Sequence, residues 1–99
     1  MGPVLVHRSI MPEPQDIAVK CFVNGELSQS DTFDRLIFDV PTMISVLSAG
    51  MTLLPGDIIA TGTPAGVGMG FTPPRYLQPG DEVVVDVTGV GELRNPVIA

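Results

Sequence analysis

The chain has 99 residues, with 5 lysines and arginines against 11 aspartates and glutamates, and a formal net charge of −6. This length allows one domain at most, and the 44% apolar and 16% charged residues are typical of a globular chain. The acidic balance argues against nucleic acid and anionic membranes as partners, because proteins bind both through basic patches.

Cysteine content and the N-terminal sequence bear on location. Cys21 is the single cysteine, so the chain cannot form an internal disulfide, and a reducing compartment is expected. The first residues, MGPVLVHRSI, lack the apolar core of a signal peptide, and no stretch has the length of a membrane span. We therefore expect a cytoplasmic protein with no membrane partner.

The first predicted elements are strands. GPVLV, residues 2–6, predicts a short strand, and the proline-limited loop MPEPQD follows it. Residues 17–23 alternate with the period of two that is typical of a strand. Asn24 and Gly25 come next and favour a two-residue hairpin, because both tolerate positive φ. ELSQS, residues 26–30, is then the predicted return strand.

One helix is predicted in the middle of the chain. Asp39 stands at an N-cap position, and Pro41 falls in the first turn. Gly50 lies near the predicted end, and Pro55 follows shortly after it. Apolar residues recur at helical spacing at Val40, Met43, Ile44, Leu47 and Met51.

The pattern L-x-P-G-D occurs twice, at residues 53–57 and 77–81. Each Pro-Gly pair suits a type II turn, and each turn leads into a β-rich run, IIATGT and EVVVDV. The second run turns through TGVG into ELRN, which predicts a second hairpin. Together these elements predict a mainly β fold of several short strands with one helix packed on them.

The glycine-rich segment GDIIATGTPAGVGMG, Gly56 to Gly70, does not fit a phosphate-binding loop. Such a loop needs a lysine after its last glycine and a helix behind it, and this segment has neither. Two interpretations stay open. The segment is either an ordinary connection between strands, or an anion-facing edge on which the Thr63 hydroxyl donates to a carboxylate.

The sequence contains no recognisable set of metal ligands and no recognisable catalytic nucleophile. His7 and Cys21 are the only residues of their types and lie on different segments. Asp81 belongs to a turn, while Glu82 and Asp86 alternate with valines and are expected on a solvated strand face. No serine has the context of a nucleophile elbow. The sequence therefore predicts no metal site and no complete catalytic set within this chain.

Several motifs occur together and in a distinctive order. LLPGDIIATGTPAGVG is the most specific, and LQPGD and the C-terminal GVGELRNPV follow it, with PQD and VNGE upstream. In this order the motifs resemble the fumarylacetoacetate hydrolase (FAH) family over nearly the whole chain. The departures are peripheral: His7 stands where threonine is common, and SQSDTFDR differs from the usual segment.

The resemblance implies that residues 1–99 are a partial, truncated catalytic domain, namely the C-terminal part of the mixed β-roll of this family. Family members are catabolic enzymes, usually homodimers, that use magnesium, or calcium or manganese. They cleave carbon–carbon bonds in diketo acids, decarboxylate 2-oxo acids, or isomerise and hydrate dienoates. Their metal ligands, a Glu-x-Glu pair and an aspartate, precede the GP segment, as does a catalytic lysine. The chain alone is therefore expected to be inactive.

The resemblance also implies a substrate-binding edge. Thr63 matches the threonine that lines the substrate pocket and binds a substrate carboxylate, Thr61 and Gly62 shape this edge, and Pro64 and Gly66 belong to the adjoining loop. The implied partners are a small carboxylate substrate and a second copy of the chain. Two alternatives stay open: a non-enzymatic β module that binds an anion or a partner chain, and a fragment that folds only on self-association.

Overall fold

The computed structural model describes residues 1–99 and contains one four-stranded antiparallel sheet in the order β2-β1-β3-β4. The strands are β1 (Ala18–Val23), β2 (Glu26–Thr32), β3 (Glu82–Val87) and β4 (Gly91–Pro96). The single α-helix, α1, spans Val40–Gly50, and four short 3-10 turns occur at Arg8–Ile10, Pro14–Asp16, Phe33–Arg35 and Gly68–Gly70. The predicted fold class, mainly β with one helix, is confirmed.

Both predicted hairpins are confirmed. Asn24 and Gly25 have φ values of 51° and 80°, so the turn between β1 and β2 uses the positive φ that this dipeptide tolerates. β3 has the predicted bounds and pairs with β4, and residues 88–90 form the turn between these two strands. The two hairpins join where β1 pairs antiparallel with β3, with Lys20 opposite Asp86.

The side chain of Asn24 ties the first hairpin to the second L-x-P-G-D turn. Asn24 Nδ2 donates to Asp81 Oδ1 at 2.8 Å, and the Glu82 amide donates to Asn24 Oδ1 at 2.9 Å. The Asp81 carboxylate also accepts from the Gln78 amide at 2.8 Å. These hydrogen bonds hold the pKa of Asp81 below its usual value, with the Asn24 amide as the largest cause.

The two L-x-P-G-D units form the same turn and lead to different structures. Gly56 and Gly80 both have a φ of 98°, as a type II turn requires. The strand predicted after the second turn is β3, whereas IIATGT after the first turn is not a strand. The strand predicted for GPVLV is also absent. Both predictions were wrong because neither segment has a partner for a backbone ladder in this chain.

Helix α1 forms where predicted, but it is not buried against the sheet. Its N-cap is Asp39, whose Oδ1 accepts from the Thr42 amide at 2.8 Å. No residue of the helix is buried, and only Val40, Met43 and Leu47, on one side, are even half-buried. The helix thus forms as predicted, but the expectation that it packs closely on the strands is corrected. With 11 residues, α1 is well short of the roughly 20 that a membrane-spanning helix needs.

The core is very small for a chain of this length. Ile17 and Val84 are the only buried residues, and their relative solvent exposures are 7% and 6%. Large apolar side chains elsewhere are solvent-exposed, among them Ile37 at 92% and Ile58 at 71%. Most of the apolar surface thus has no partner within residues 1–99.

Candidate functional site

The glycine-rich loop lies against strand β2, and Gly66 makes the closest approach. Gly66 has a φ of 106°, and a Cβ at this position would lie 1.9 Å from the carbonyl oxygen of Ser28. Only glycine satisfies both the backbone conformation and this distance. The loop residues 64–66 are therefore fixed to the sheet by backbone contact.

A β-bulge in β2 presents two consecutive side chains to this loop. Cys21 pairs with Gln29 and Phe22 pairs with Leu27, so Ser28 is the extra residue. Ser28 Oγ donates to the carbonyl oxygen of Gly66 at 2.8 Å. Gln29 Nε2 donates to Thr63 Oγ1 at 2.7 Å and to the carbonyl oxygen of Pro64 at 2.6 Å.

One side of the loop borders a cleft of about 370 Å³, here called the rim cleft. Its polar lining consists of Asp31, Thr32, Arg35, Thr61, Gly62 and Thr63. Arg35 Nη1 lies 3.4 Å from Asp31 Oδ1, and most of the Arg35 side chain is exposed. The apolar lining consists mainly of Val19, Phe33, Leu36, Ile37, Phe38 and Met43, with Pro64. Hydroxyl groups, an arginine–aspartate ion pair and an apolar wall suit a small organic acid.

The other side of the loop borders a cleft of about 450 Å³, here called the Arg75 cleft. Arg75 pairs with Glu26 at 3.2 Å, and its guanidinium lies 4.9 Å from the centre of the Phe71 ring. Gly66 and Gln29 line this cleft. Four of the five predicted site residues, 61–64, thus border the rim cleft, and Gly66 borders the neighbouring one.

Sequence reasoning missed three residues of this arrangement: Ser28, Gln29 and Arg35. Ser28 and Gln29 lie in a predicted strand, where strict alternation would give them opposite faces. The bulge that brings both to the loop has no sequence signal of its own. Arg35 lies in the segment SQSDTFDR, whose departure from the usual family segment was the one available signal.

The donor set within residues 1–99 does not fit a divalent cation. No group of three or more histidine, cysteine, aspartate or glutamate side chains lies together. His7 Nδ1 forms a hydrogen bond with Ser9 Oγ at 2.8 Å, and Glu82 pairs with Arg94 on the sheet. Glu82 thus belongs to an ion pair, but the prediction that it shares a solvated face with Asp86 was wrong, because the buried Val84 lies between them on the same face.

Comparison with known proteins identifies the family. The model of the fumarylacetoacetate (FAA) hydrolase C-terminal domain matches residues 1–98. The chain belongs to the fumarylacetoacetate hydrolase family. It is 53% identical over 97 residues to the oxaloacetate tautomerase YisK of Bacillus subtilis (strain 168), a match that covers 98% of this chain and 32% of the tautomerase.

Solved structures of this family share the fold. The fumarylacetoacetate hydrolase of the psychrophile Exiguobacterium antarcticum superposes with a TM-score of 0.93 at 50% identity, over 99% of this chain and 35% of that one. The maleylpyruvate hydrolase of Sphingobium sp. SYK-6, solved with manganese(II) and pyruvate, gives 0.86 at 39% identity, over 98% and 34%. The chain thus spans about one third of the length of the relatives that it matches.

Proposed function

We propose that residues 1–99 form the C-terminal third of a divalent-cation-dependent enzyme that acts on small 2-oxo or diketo acids. Membership of the fumarylacetoacetate hydrolase family supports an enzyme of this class. The similarity to an oxaloacetate tautomerase and a maleylpyruvate hydrolase supports the substrate class, because both names specify short-chain acids with an oxo group. The proposed reactions are carbon–carbon bond hydrolysis, decarboxylation, and isomerisation or hydration of dienoates, together with the tautomerisation that the name of the Bacillus subtilis relative specifies.

The observation that carries the proposal is the exposed area. The chain exposes 7509 Å², whereas a compact monomer of 10.4 kDa exposes about 5,400 Å². The excess of about 2,100 Å² has the size of one side of an obligate interface, which buries about 2,000–5,000 Å² over both partners. The apolar side chains of Ile37, Phe38 and Ile58 contribute to it. This surface supports a domain that is completed by further polypeptide.

The chain's own contribution to the proposed site is carboxylate binding. Thr61 and Thr63 provide hydroxyl groups at the rim cleft, and Arg35 provides a positive charge in the same cleft. Asp31 lies 3.4 Å from Arg35 and borders the same cleft, so it partly compensates this charge. The proposed preference for an anionic group over its neutral isostere therefore rests on Arg35 together with the two hydroxyl groups. The cation that the family uses would take its ligands from outside these 99 residues.

A chimaera tests whether residues 1–99 supply carboxylate binding while the rest of the enzyme supplies the cation ligands. In it, residues 1–99 replace the matching third of the Bacillus subtilis tautomerase, to which they are 53% identical. We expect the chimaera to convert oxaloacetate between its enol and keto forms when a divalent cation is present. The isolated chain is expected to show no cation-dependent turnover, and clear turnover by a pure sample of it contradicts the proposal.

A non-enzymatic anion-binding module is the second candidate. The rim cleft favours it, because Arg35 and Thr63 both line this cleft within residues 1–99. Calorimetry of the isolated chain with small dicarboxylates, with and without magnesium, separates the two candidates. Binding that is equally strong without magnesium favours the module, whereas absence of binding favours an incomplete enzyme site.

The remaining expectations belong to the same proposal: a cytoplasmic, catabolic enzyme that uses magnesium and assembles as a homo-oligomer. The unpaired segment 58–63 and the exposed apolar surface support self-association of the isolated chain. Sedimentation should therefore find it larger than a monomer. A well-folded monomer contradicts this part of the proposal alone.

A further inference from the structure

One side-chain nitrogen of Gln29 donates hydrogen bonds to two acceptors. Its Nε2 lies 2.6 Å from the carbonyl oxygen of Pro64 and 2.7 Å from Thr63 Oγ1. A peptide carbonyl can only accept a hydrogen bond, so the carboxamide group that faces Pro64 must be the NH₂ and not the oxygen. Because the Pro64 carbonyl can only accept, the Gln29 nitrogen that lies beside Thr63 is a donor to Thr63 as well.

This orientation determines where the Thr63 hydroxyl proton can point. The Gln29 NH₂ cannot accept, so Thr63 Oγ1 accepts in this hydrogen bond, and its own proton takes no part in it. The Thr63 hydroxyl donates to no other group in residues 1–99. Thr63 is exposed and borders the rim cleft, so the proton is available to a ligand there.

We propose that Gln29 is a positioning residue that makes the Thr63 hydroxyl a dedicated donor to a ligand carboxylate in the rim cleft. The inference rests on the proposed function, in which Thr63 binds that carboxylate. A hydroxyl without such a neighbour rotates freely and offers its lone pairs as often as its proton. With Gln29 in place, Thr63 is pre-organised to donate, which reduces the ordering required when an anion binds.

The bulge in β2 is the structural feature that permits this arrangement. Regular alternation would direct Ser28 and Gln29 to opposite faces of the sheet. Instead, Ser28 Oγ binds the carbonyl of Gly66 while Gln29 binds Thr63 and Pro64, so both side chains hold the same loop. Ser28 fixes the loop backbone, and Gln29 additionally sets the polarity of the hydroxyl.

A double-mutant cycle in the chimaera tests the inference, with the dissociation constant of pyruvate in the presence of manganese as the readout. We expect Thr63→Val to raise this constant about tenfold and Gln29→Met about fivefold, as for one lost hydrogen bond each. Because Gln29 acts through Thr63, the double variant should also lose about tenfold and not the roughly fiftyfold of independent effects. Gln15→Met is the matched control, since Gln15 is exposed and lies outside both clefts.

The outcomes separate the inference from the proposed function. If Thr63→Val leaves pyruvate binding unchanged, the positioning role of Gln29 and the carboxylate-binding role of Thr63 are both overturned, whereas the proposed enzyme class is tested separately by turnover of the chimaera. If Thr63→Val weakens binding and Gln29→Met does not, only the positioning role is overturned. Additive losses in the double variant also overturn it, because they indicate that Gln29 supports the loop by a route that does not involve the Thr63 hydroxyl.

A second measurement needs no activity and uses the folded chimaera without ligand. In NMR spectra, the Gln29 side-chain NH₂ protons should exchange with water more slowly than those of Gln15, and they should show cross-relaxation with the Thr63 methyl group. Thr63→Val should release one of the two protons and leave the one bound to Pro64 protected. Exchange of both Gln29 protons as fast as those of Gln15 overturns the proposal, whatever the chimaera binds.

Discussion

Ser28 contacts Gly66 through both its backbone and its side chain, although 38 positions separate the two residues in sequence. Ser28 Oγ donates to the Gly66 carbonyl at 2.8 Å, and the Ser28 carbonyl oxygen occupies the space that a side chain at Gly66 would need. This pair fixes the glycine-rich loop to the edge strand of the sheet. The geometry of the rim cleft therefore depends on the sheet as much as on the loop.

Gly66→Ala should disrupt this contact, and Gly56→Ala is its matched control. Both glycines have positive φ, of 106° and 98°, so alanine introduces backbone strain of about 1–2 kcal/mol at either position. Nothing lies within 4 Å of a Cβ at Gly56, whereas a Cβ at Gly66 would lie 1.9 Å from the Ser28 carbonyl oxygen. Denaturant titration should find Gly66→Ala less stable than Gly56→Ala by about 1–3 kcal/mol. Equal losses in the free energy of unfolding would show that the contact is not maintained.

Arg35→Met tests the charge in the rim cleft. The Arg35 side chain is largely exposed and lies 3.4 Å from Asp31, so its effect on an anionic ligand should be small and screened by salt. We expect the KM of the chimaera for oxaloacetate to rise about threefold at low ionic strength, or less than 1 kcal/mol. The increase should vanish at about 1 M salt, where the Debye length is about 3 Å.

Arg8→Met serves as the control for Arg35, because Arg8 forms a comparable exposed ion pair with Glu13 and borders neither cleft. It should leave KM unchanged at every salt concentration. An equal effect of both variants would mean that the net charge of the protein, and not the position of Arg35, determines affinity.

The parts of this fold that sequence predicts are those governed by neighbouring residues. The Asn24-Gly25 turn and the Asp39 cap each depend on a few adjacent side chains, and both form as predicted. Strand β3 has its predicted bounds, but its one buried residue, Val84, lies on the face of Glu82 and Asp86 and not on the face of Val83 and Val85. The segment after Gly56 has the same turn chemistry as the one after Gly80, and yet only the second becomes a strand. Pairing is decided by a distant partner, and no local pattern contains that information.

The candidate site also combines residues that the local sequence identifies with a contact that it does not reveal. Thr63 and its neighbours are identified by a motif that is contiguous in sequence. Gln29, by contrast, reaches Thr63 only because the extra residue Ser28 shifts the register of β2. Sequence periodicity assigns such a glutamine to an ordinary strand position, so its contact becomes visible only in three dimensions.

The pKa of Asp81 predicts how stability responds to acid. Hydrogen bonds from Asn24 and Gln78 lower the pKa of this carboxyl in the folded state relative to its value of about 3.9 in the unfolded chain. The folded state therefore binds the proton more weakly, and the stabilisation is fully present above about pH 4. It is lost as the pH falls through the folded-state pKa, so the free energy of unfolding should decrease below about pH 4.

Asn24→Gly isolates this contribution, because glycine tolerates the positive φ of Asn24 while the amide that lowers the Asp81 pKa is removed. NMR titration should show the pKa of Asp81 moving up towards its ordinary value in this variant. The dependence of unfolding free energy on pH between about 2 and 5 should become shallower. An unchanged Asp81 pKa would contradict the assignment of Asn24 as the main cause.

Oxaloacetate turnover by the chimaera, set beside the isolated 99-residue chain in the same buffer, tests the central claim most directly. The claim is that these residues supply the carboxylate-binding edge of a site whose cation ligands lie elsewhere. It predicts cation-dependent turnover by the chimaera, loss of that turnover with a chelator, and none by the isolated chain. A chimaera that folds and binds manganese but leaves oxaloacetate unchanged, or turnover by the isolated chain, contradicts it.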